Sequence, residues 1–171
     1  MKKKYEIIQL FTMDYFFRAC ESGEVATVAS LLLSVDPSVD NNHAIKSASL
    51  FGQLEVVRLL LEDPRVDPNE CHLNSPLELA CDHGHIEIVR LLLTDSRVDP
   101  SVGNNFPIQT ASHFGYVEIV RLLLEDSRVN PDADNKMALR WANNAGHTKV
   151  VQLLTEHQFR LDGPEYNKNI L

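Results

Sequence analysis

The sequence has no apolar run long enough to cross a membrane. Its aliphatic stretches are short, such as the Leu triplet at residues 91–93, whereas a transmembrane helix needs about 20 mostly apolar residues in succession. The N-terminal stretch 1–11 begins with lysines, but Glu6 and Gln9 interrupt its apolar part and no small-residue cleavage site follows. We therefore expect neither a membrane span nor a signal peptide.

Cysteines are few, and basic residues are fewer than acidic ones. Cys20, Cys71 and Cys81 form an odd, widely spaced set, which argues against a disulfide framework and favours a reducing, cytoplasmic location. The chain has 16 Lys and Arg against 24 Asp and Glu, a formal net charge of −8. Because a nucleic-acid-binding face needs clustered positive charge, nucleic acid is not an expected partner.

Motifs of common catalytic centres are missing as well. The sequence has no Gly-x-Ser-x-Gly, no phosphate-binding glycine loop and no His-Glu-x-x-His. Cys20 lies beside Glu21, whereas a reactive thiolate needs a cationic neighbour or a helix N-terminus. The cluster formed by Cys71, His72, Cys81, His83 and His85 lacks the paired spacing of a zinc site. We predict no catalytic residue, no metal and no cofactor, so the chain is not expected to be an enzyme.

What the sequence does contain is a repeat. Five segments align on Gly23, Gly52, Gly84, Gly115 and Gly146, which are 29, 32, 31 and 31 residues apart. Three of the segments share the pattern Glu-x-Val-Arg-Leu-Leu-Leu after the glycine. A fixed period of this length is typical of a solenoid of stacked supersecondary units.

Each glycine separates two short helical patterns. Before Gly84, Ser75 and Pro76 suit an N-cap and a first-turn position, and apolar residues follow at helical spacing. After it, Ile86 and Val89 begin a second pattern with the same period. Glycine adopts the positive φ of a tight helix–helix reversal, and proline ends the second helix. The Asn- and Asp-rich stretch that follows predicts a turn.

This order of turn, helix, glycine, helix and proline resembles the ankyrin repeat. The resemblance covers about residues 14–160 and is most specific at 75–80 and 84–93. It implies an all-α solenoid of about five helix-turn-helix repeats with short turns between them. We assign one domain over 1–171, with repeats at about 9–37, 38–68, 70–100, 101–131 and 132–160, an N-terminal cap over 1–13 and a C-terminal tail over 162–171.

The chain departs from the family in the Thr-Pro-Leu-His box of the first helix. The histidine that helps to join neighbouring repeats in the family is replaced by Lys46, Glu78, Gln109 and Arg140. We expect that hydrogen-bond network to be weakened, and each lost bond is typically worth about 1 kcal/mol. Apolar stacking is then expected to provide more of the coupling between repeats, through Ile45, Leu77, Ile108 and Leu139.

The resemblance also implies where a partner binds, since partners of ankyrin arrays contact the turn tips and the end of the first helix on the concave face. At the turns, the matching residues are Asn42, His72, Asn74, Asn105 and Lys136. Near the glycines, we assign Leu50, Phe51, Asp82, His83, His113, Phe114, Asn143 and Asn144. Phe51 and Phe114 are apolar where a solvated helix end is polar, which favours an interface core. The alternative is that both rings pack beneath the neighbouring turn.

Two further features are expected to be structural. Trp141, the only tryptophan, falls at a helix position that usually packs, and we expect it to lie against the C-terminal cap, with a binding role as the alternative. The pairs Glu55 with Arg58, Glu87 with Arg90 and Glu118 with Arg121 recur at i, i+3. Their recurrence predicts solvated ion pairs on the outer face.

The leading hypothesis is a monomeric, cytoplasmic adaptor or inhibitor that binds one protein partner through its concave face. The alternative, from another class, is a self-associating structural module that stacks end to end through its terminal repeats. The fold alone does not identify the partner.

Overall fold

The computed structural model describes residues 2–69 and 74–162 as ten α-helices joined by turns. They are α1 (Lys2–Ser22), α2 (Val25–Leu31), α3 (Val39–Leu50), α4 (Leu54–Leu61), α5 (Pro76–Asp82), α6 (Ile86–Thr94), α7 (Val102–Phe114), α8 (Val117–Glu125), α9 (Ala133–Ala145) and α10 (Thr148–Asp162). No β-strand occurs within these residues, which confirms the predicted all-α class. The predicted C-terminal tail lies outside the described residues except for Asp162, and the side chains of most of the predicted N-terminal cap lie outside them too.

The helices form two layers. The odd-numbered helices α1, α3, α5, α7 and α9 contact one another in that order, and the even-numbered helices do the same. Each odd-numbered helix also packs against the helix that follows it in sequence. The described residues therefore form a stack of five helix pairs, and we call the odd-numbered helices inner and the even-numbered helices outer.

The apolar core lies between the two layers. The inner helices place a small residue four positions before each glycine, at Ala19, Ala48, Ala80, Ala111 and Ala142, each at most 1% exposed. The outer helices contribute larger aliphatic side chains, and in α6 both Val89 and Leu92 are fully buried. Burial of one such side chain stabilises the fold by about 1.5–3 kcal/mol. The alanines allow the inner helices to approach closely enough to share this core.

A glycine in the left-handed region reverses the chain inside each pair, with φ between 73° and 77° at all five positions. The residue after the glycine, which is Gln53, His85, Tyr116 or His147, lies over the glycine of the preceding repeat. His85 Nε2 is 2.9 Å from Leu50 O, and His147 Nε2 is 2.9 Å from His113 O. A side chain of the next repeat thus satisfies a carbonyl that the C-terminal end of an inner helix leaves open.

Three consecutive left-handed residues precede the right-handed turns of α3, α7 and α9. At 40–42, 103–105 and 134–136 every φ lies between 52° and 65°. Apart from Lys136, these positions hold Asn, Asp or Gly, the residues that adopt left-handed backbone at least cost. The Asn- and Asp-rich stretches therefore form turns, as their composition predicts.

The Asp-x-Arg sequence after the outer helix joins consecutive repeats. Arg97 donates to the Asp95 carboxylate from Nε at 3.0 Å and from Nη2 at 2.6 Å. The same guanidinium donates to Val66 O at 2.9 Å and to Leu61 O at 2.7 Å, both in the preceding repeat. The arrangement recurs with Arg65 on Asp63 and Val35 O, and with Arg128 on Asp126 and Val98 O. We call each of these sets an arginine clamp.

The clamps also affect the acid titration of the fold. Hydrogen bonds from the clamp arginines hold the pKa of Asp63, Asp95 and Asp126 below its usual value. A carboxyl whose pKa is lowered by folding stabilises the fold above its unfolded-state pKa, and this contribution is lost as the pH falls through the lowered value. The clamps are therefore intact at neutral pH and weaken in acid.

The polar links between neighbouring repeats come from residues outside the Thr-Pro-Leu-His box. Two of the box residues form hydrogen bonds within the turn of their own repeat: Glu78 accepts from Asn74 N at 3.0 Å, and Gln109 donates to Asn104 O at 2.9 Å. The clamps and the residues after the glycines provide the polar links instead. Apolar stacking accompanies them, with Ile45, Leu77 and Ile108 buried and Leu139 half-buried.

We expect Arg97→Ala to lower the free energy of unfolding by about 1–2 kcal/mol, because it removes hydrogen bonds from a charged donor to Asp95 and to two carbonyls. The matched control is Arg90→Ala. Arg90 pairs with Glu87 at 3.7 Å, with both side chains more than half exposed, so its loss should change stability by less than about 0.5 kcal/mol. Urea unfolding followed by circular dichroism measures both, and equal effects would contradict the structural role of the clamp.

Alanine at two of the reversal glycines distinguishes the stability lost through left-handed backbone strain from the stability lost with an inter-repeat contact. A Cβ on Gly52 would lie 2.8 Å from the His85 ring, whereas a Cβ on Gly146 would meet no atom within 4 Å, and both residues have φ near 76°. Each alanine variant should lose about 1–2 kcal/mol from left-handed strain. Gly52→Ala should lose about 1 kcal/mol more, because His85 must leave Leu50 O. Equal midpoints of thermal unfolding for the two variants would show that the contact of His85 does not contribute to stability.

Candidate partner-binding surface

Two of the predicted turn residues are used inside the fold. Asn42 and Asn105 are only 2% and 7% exposed. Their Oδ1 atoms accept from Asp67 N at 2.9 Å and from Asn130 N at 2.6 Å, each in the segment that follows the outer helix of the same repeat. These asparagines fasten the turn of their own repeat and offer little surface to a partner.

The other turn candidates have different surroundings. Asn74 is exposed, with a left-handed φ of 59°. Lys136 is half-buried, and its Nζ lies 3.8 Å from Asp132 Oδ2. His72 lies outside the described residues, so its part in binding stays a prediction.

The ends of the inner helices present a row of mixed chemistry. We define the helix-end row as the two residues before each of the last four reversal glycines: Leu50, Phe51, Asp82, His83, His113, Phe114, Asn144 and Ala145. Phe51 and Phe114 are 52% and 45% exposed, so they do not pack beneath a turn, which was the alternative placement. Leu50 and Asp82 are half-buried, while the remaining members are exposed.

The assignment in the last repeat is corrected by one position. Asn144 and Ala145 directly precede Gly146, whereas Asn143 aligns with the buried Ser112 of the preceding repeat. Asn143 is itself exposed. Because Ala145 occupies the position of Phe51 and Phe114, the aromatic part of the row ends at the fourth repeat.

Five rings continue the row across the fourth and fifth repeats. The ring centroids of Phe106 and Trp141 are 6.1 Å apart, and those of Trp141 and His113 are 5.4 Å apart. His113 lies 4.8 Å from Phe114, which lies 6.0 Å from Tyr116. We call these five rings the aromatic cluster. All of them retain exposed surface, and such a chain of rings provides large contact area at small entropic cost.

Two members of this cluster, Phe106 and Tyr116, were not predicted from the sequence. The ring of Trp141 contacts Phe106 and His113 of the preceding repeat, and its expected packing against the C-terminal cap stays a prediction. Phe106 stands at the threonine position of the family box, and Tyr116 stands at the position after the glycine that His85 holds in another repeat. The aromatic residues at these two positions were the signal in the sequence that could have predicted the cluster.

The two described cysteines are structural. Cys20 and Cys81 are free and fully buried. Burial, with a smaller contribution from Glu21, raises the pKa of the Cys20 thiol to about 12. Burial also raises the pKa of Cys81, with Glu78 and Asp82 adding to the effect. Neither thiol provides a thiolate at neutral pH, which confirms that Cys20 is a small buried residue.

The rest of the described surface shows few features typical of a metal site, a membrane span or a ligand pocket. The predicted outer ion pairs are present, with N–O distances of 3.4 Å, 3.7 Å and 3.5 Å along the stack. Among the described residues, no three His, Cys, Asp or Glu side chains converge as metal ligands do. No helix in the described part of the chain is long and apolar enough to span a membrane. Three clefts in the described part of the chain have volumes of about 140, 250 and 260 Å³, each less than the roughly 300 Å³ of a small ligand pocket.

We expect the thiols of Cys20 and Cys81 to react with a disulfide reagent only as the protein unfolds, because both are buried and protonated. The measurement uses a Cys71→Ser variant, so that the two described cysteines are the only thiols. Modification should be undetectable in buffer at pH 8 and complete in 6 M guanidinium, which is about the concentration that unfolds most domains. Fast modification of the native variant would contradict the burial of these groups.

Comparison with known protein families agrees with the helix pairs. The family model for ankyrin repeats, built from three copies of the repeat, matches residues 16–104 and again residues 96–169. These matches cover all five reversal glycines and most of the chain. No match was found among curated proteins.

Ankyrin arrays are generally protein–protein interaction modules and are typically non-catalytic. The paired helices, the glycine reversals and the matched residues all lead to the same assignment. The chain belongs to the ankyrin-repeat family.

Proposed function

We propose that this chain is a non-catalytic binding module that holds one protein partner against the helix-end row and the aromatic cluster. The observation that carries the proposal is the exposure of Phe51 and Phe114, at 52% and 45%. Leaving two rings in water is unfavourable for a fold that has a buried core available. Apolar rings bordered by Asp, Asn and His are typical of an interface core with a polar rim.

The chemistry of the surface supports binding over catalysis. The buried, protonated thiols of Cys20 and Cys81 are poor nucleophiles. His83 and His113 are exposed members of the row, where they are suited to polar contacts at an interface. Free thiols at both described cysteines also support a reducing, cytoplasmic location. An adaptor and an inhibitor would both use this surface.

A self-associating module is the second candidate, and the first repeat favours it. Phe11, Tyr15 and Leu33 are 72%, 52% and 91% exposed. Sedimentation velocity at micromolar concentration distinguishes the candidates, because a groove-binding module remains monomeric and an end-stacking module forms concentration-dependent oligomers.

We expect a variant with alanine at Leu50, Phe51, His113 and Phe114 to lose its partner while it remains folded. Removal of interface anchors typically costs 2 kcal/mol or more each, about 30-fold in affinity. Immobilised wild type and variant are used for affinity capture from lysate of the source cell, and bound proteins are identified by mass spectrometry. A protein retained by wild type and lost by the variant is the expected result.

The matched control carries alanine at Glu87 and Arg90 on the outer helix α6, where both side chains are exposed. It should capture the partner as well as wild type does, and thermal unfolding should show that both variants are folded. Equal capture by all three proteins would place the partner on another face. Capture of nothing except the chain itself, together with oligomers in sedimentation, would support the self-associating module.

A further inference from the structure

The helix-end row has one formal charge, and it lies between two exposed rings. Among the eight members of the row, Asp82 is the only Asp, Glu, Lys or Arg. Its carboxylate side chain is 40% exposed and lies 3.5 Å from the His83 ring, itself 42% exposed. Phe51 belongs to the preceding repeat and Phe114 to the following one. Along the row, the exposed ring of Phe51 is thus followed by the carboxylate of Asp82 and then by the exposed ring of Phe114.

The stacking of the inner helices fixes the spacing of these groups. α3 ends one residue before Phe51, α5 ends at Asp82 and α7 ends at Phe114, and these helices contact one another in that order. Packed helix axes are about 8–10 Å apart, so the helix ends follow one another at about that spacing, with Asp82 one residue nearer to the start of its helix than the two phenylalanines. A partner helix places side chains at i and i+7 about 10.5 Å apart on one face.

Charge favours a basic side chain opposite Asp82. The whole chain has a net charge of −8, which attracts a basic partner at long range. Exposed rings on both sides of the carboxylate favour a cation as well, because the face of an aromatic ring attracts it. The cations Lys46 and Arg140 are on neighbouring inner helices, four or more residues nearer to the turns than the row. Glu21, two residues before Gly23, extends the acidic character toward the N-terminal end.

We propose that the partner docks a segment with an apolar, a basic and an apolar side chain spaced about 10 Å apart. The basic side chain pairs with Asp82, and the two apolar side chains cover Phe51 and Phe114. The inference rests on the proposed function, because it assumes that the helix-end row is the binding surface. It goes further by specifying the chemistry of the segment that binds.

The test is a selection from displayed peptides of about 16 residues, long enough for positions i, i+7 and i+14 of a helix. The peptides are selected on immobilised wild type in the presence of excess soluble Phe114→Ala variant, so that binders to other surfaces are removed. The expected result is enrichment of sequences with Lys or Arg midway between two large apolar residues. Enrichment of acidic or uncharged sequences would overturn the proposal.

Affinities of one enriched peptide then locate its contacts. Asp82→Asn should weaken binding about three-fold, as expected for a partly exposed ion pair, and Asp82→Lys should weaken it about ten-fold or more through like-charge repulsion. Phe51→Ala or Phe114→Ala should weaken it about 30-fold. The control Glu87→Gln, which changes an exposed acid on the outer layer, should leave the affinity unchanged.

The outcomes separate the two proposals. If Asp82→Lys binds as tightly as wild type while the phenylalanine variants lose the peptide, the row is the binding surface and the basic segment is wrong. If neither the phenylalanine variants nor the Asp82 variants change the affinity, the binding surface itself is wrong. Circular dichroism of every variant shows that lost binding is not lost folding.

Discussion

No helix pair in this chain can bury its own apolar residues, because each helix has one side against its partner and further apolar positions facing outward along the stack. The neighbouring repeat covers those positions, and two kinds of side chain hold it there. The arginine clamps bind the loop of the preceding repeat, and the residues after the glycines cover the preceding reversal. Stability is therefore a property of adjacent repeats rather than of any one of them.

This requirement determines which surfaces are left for binding. The turns are largely committed, since Asn42 and Asn105 are buried and Glu78 and Gln109 bond within their own turns. The outer helices present solvated ion pairs. At the ends of α1, α3 and α7, a side chain of the next repeat already bonds a backbone carbonyl, so the side chains of that last turn are not needed to cap it. Side chains there are free to vary, and in this chain they include exposed rings and one carboxylate.

The fold class and the main packing positions follow from the sequence, because the glycine period and the helical spacing of apolar residues are local signals. Reversal at positive φ, the capping of α5 by Ser75 and the exposed Glu and Arg pairs were predictable for the same reason. The arginine clamps could not be predicted from such local signals. Arg97 reads as part of a loop, and its carbonyl acceptors are about thirty residues away. The aromatic cluster was missed for a similar cause, since Phe106 and Trp141 meet only after two repeats stack.

The clamps also give the stack a direction. Each arginine reaches toward the N-terminus, and so does each residue after a glycine, so a repeat receives these partners only from its successor. The fifth repeat receives no such partner among the described residues, and its reversal at Gly146 is left uncovered. During synthesis from the N-terminus, each of the first four repeats would therefore gain these bonds only once the next repeat has been made.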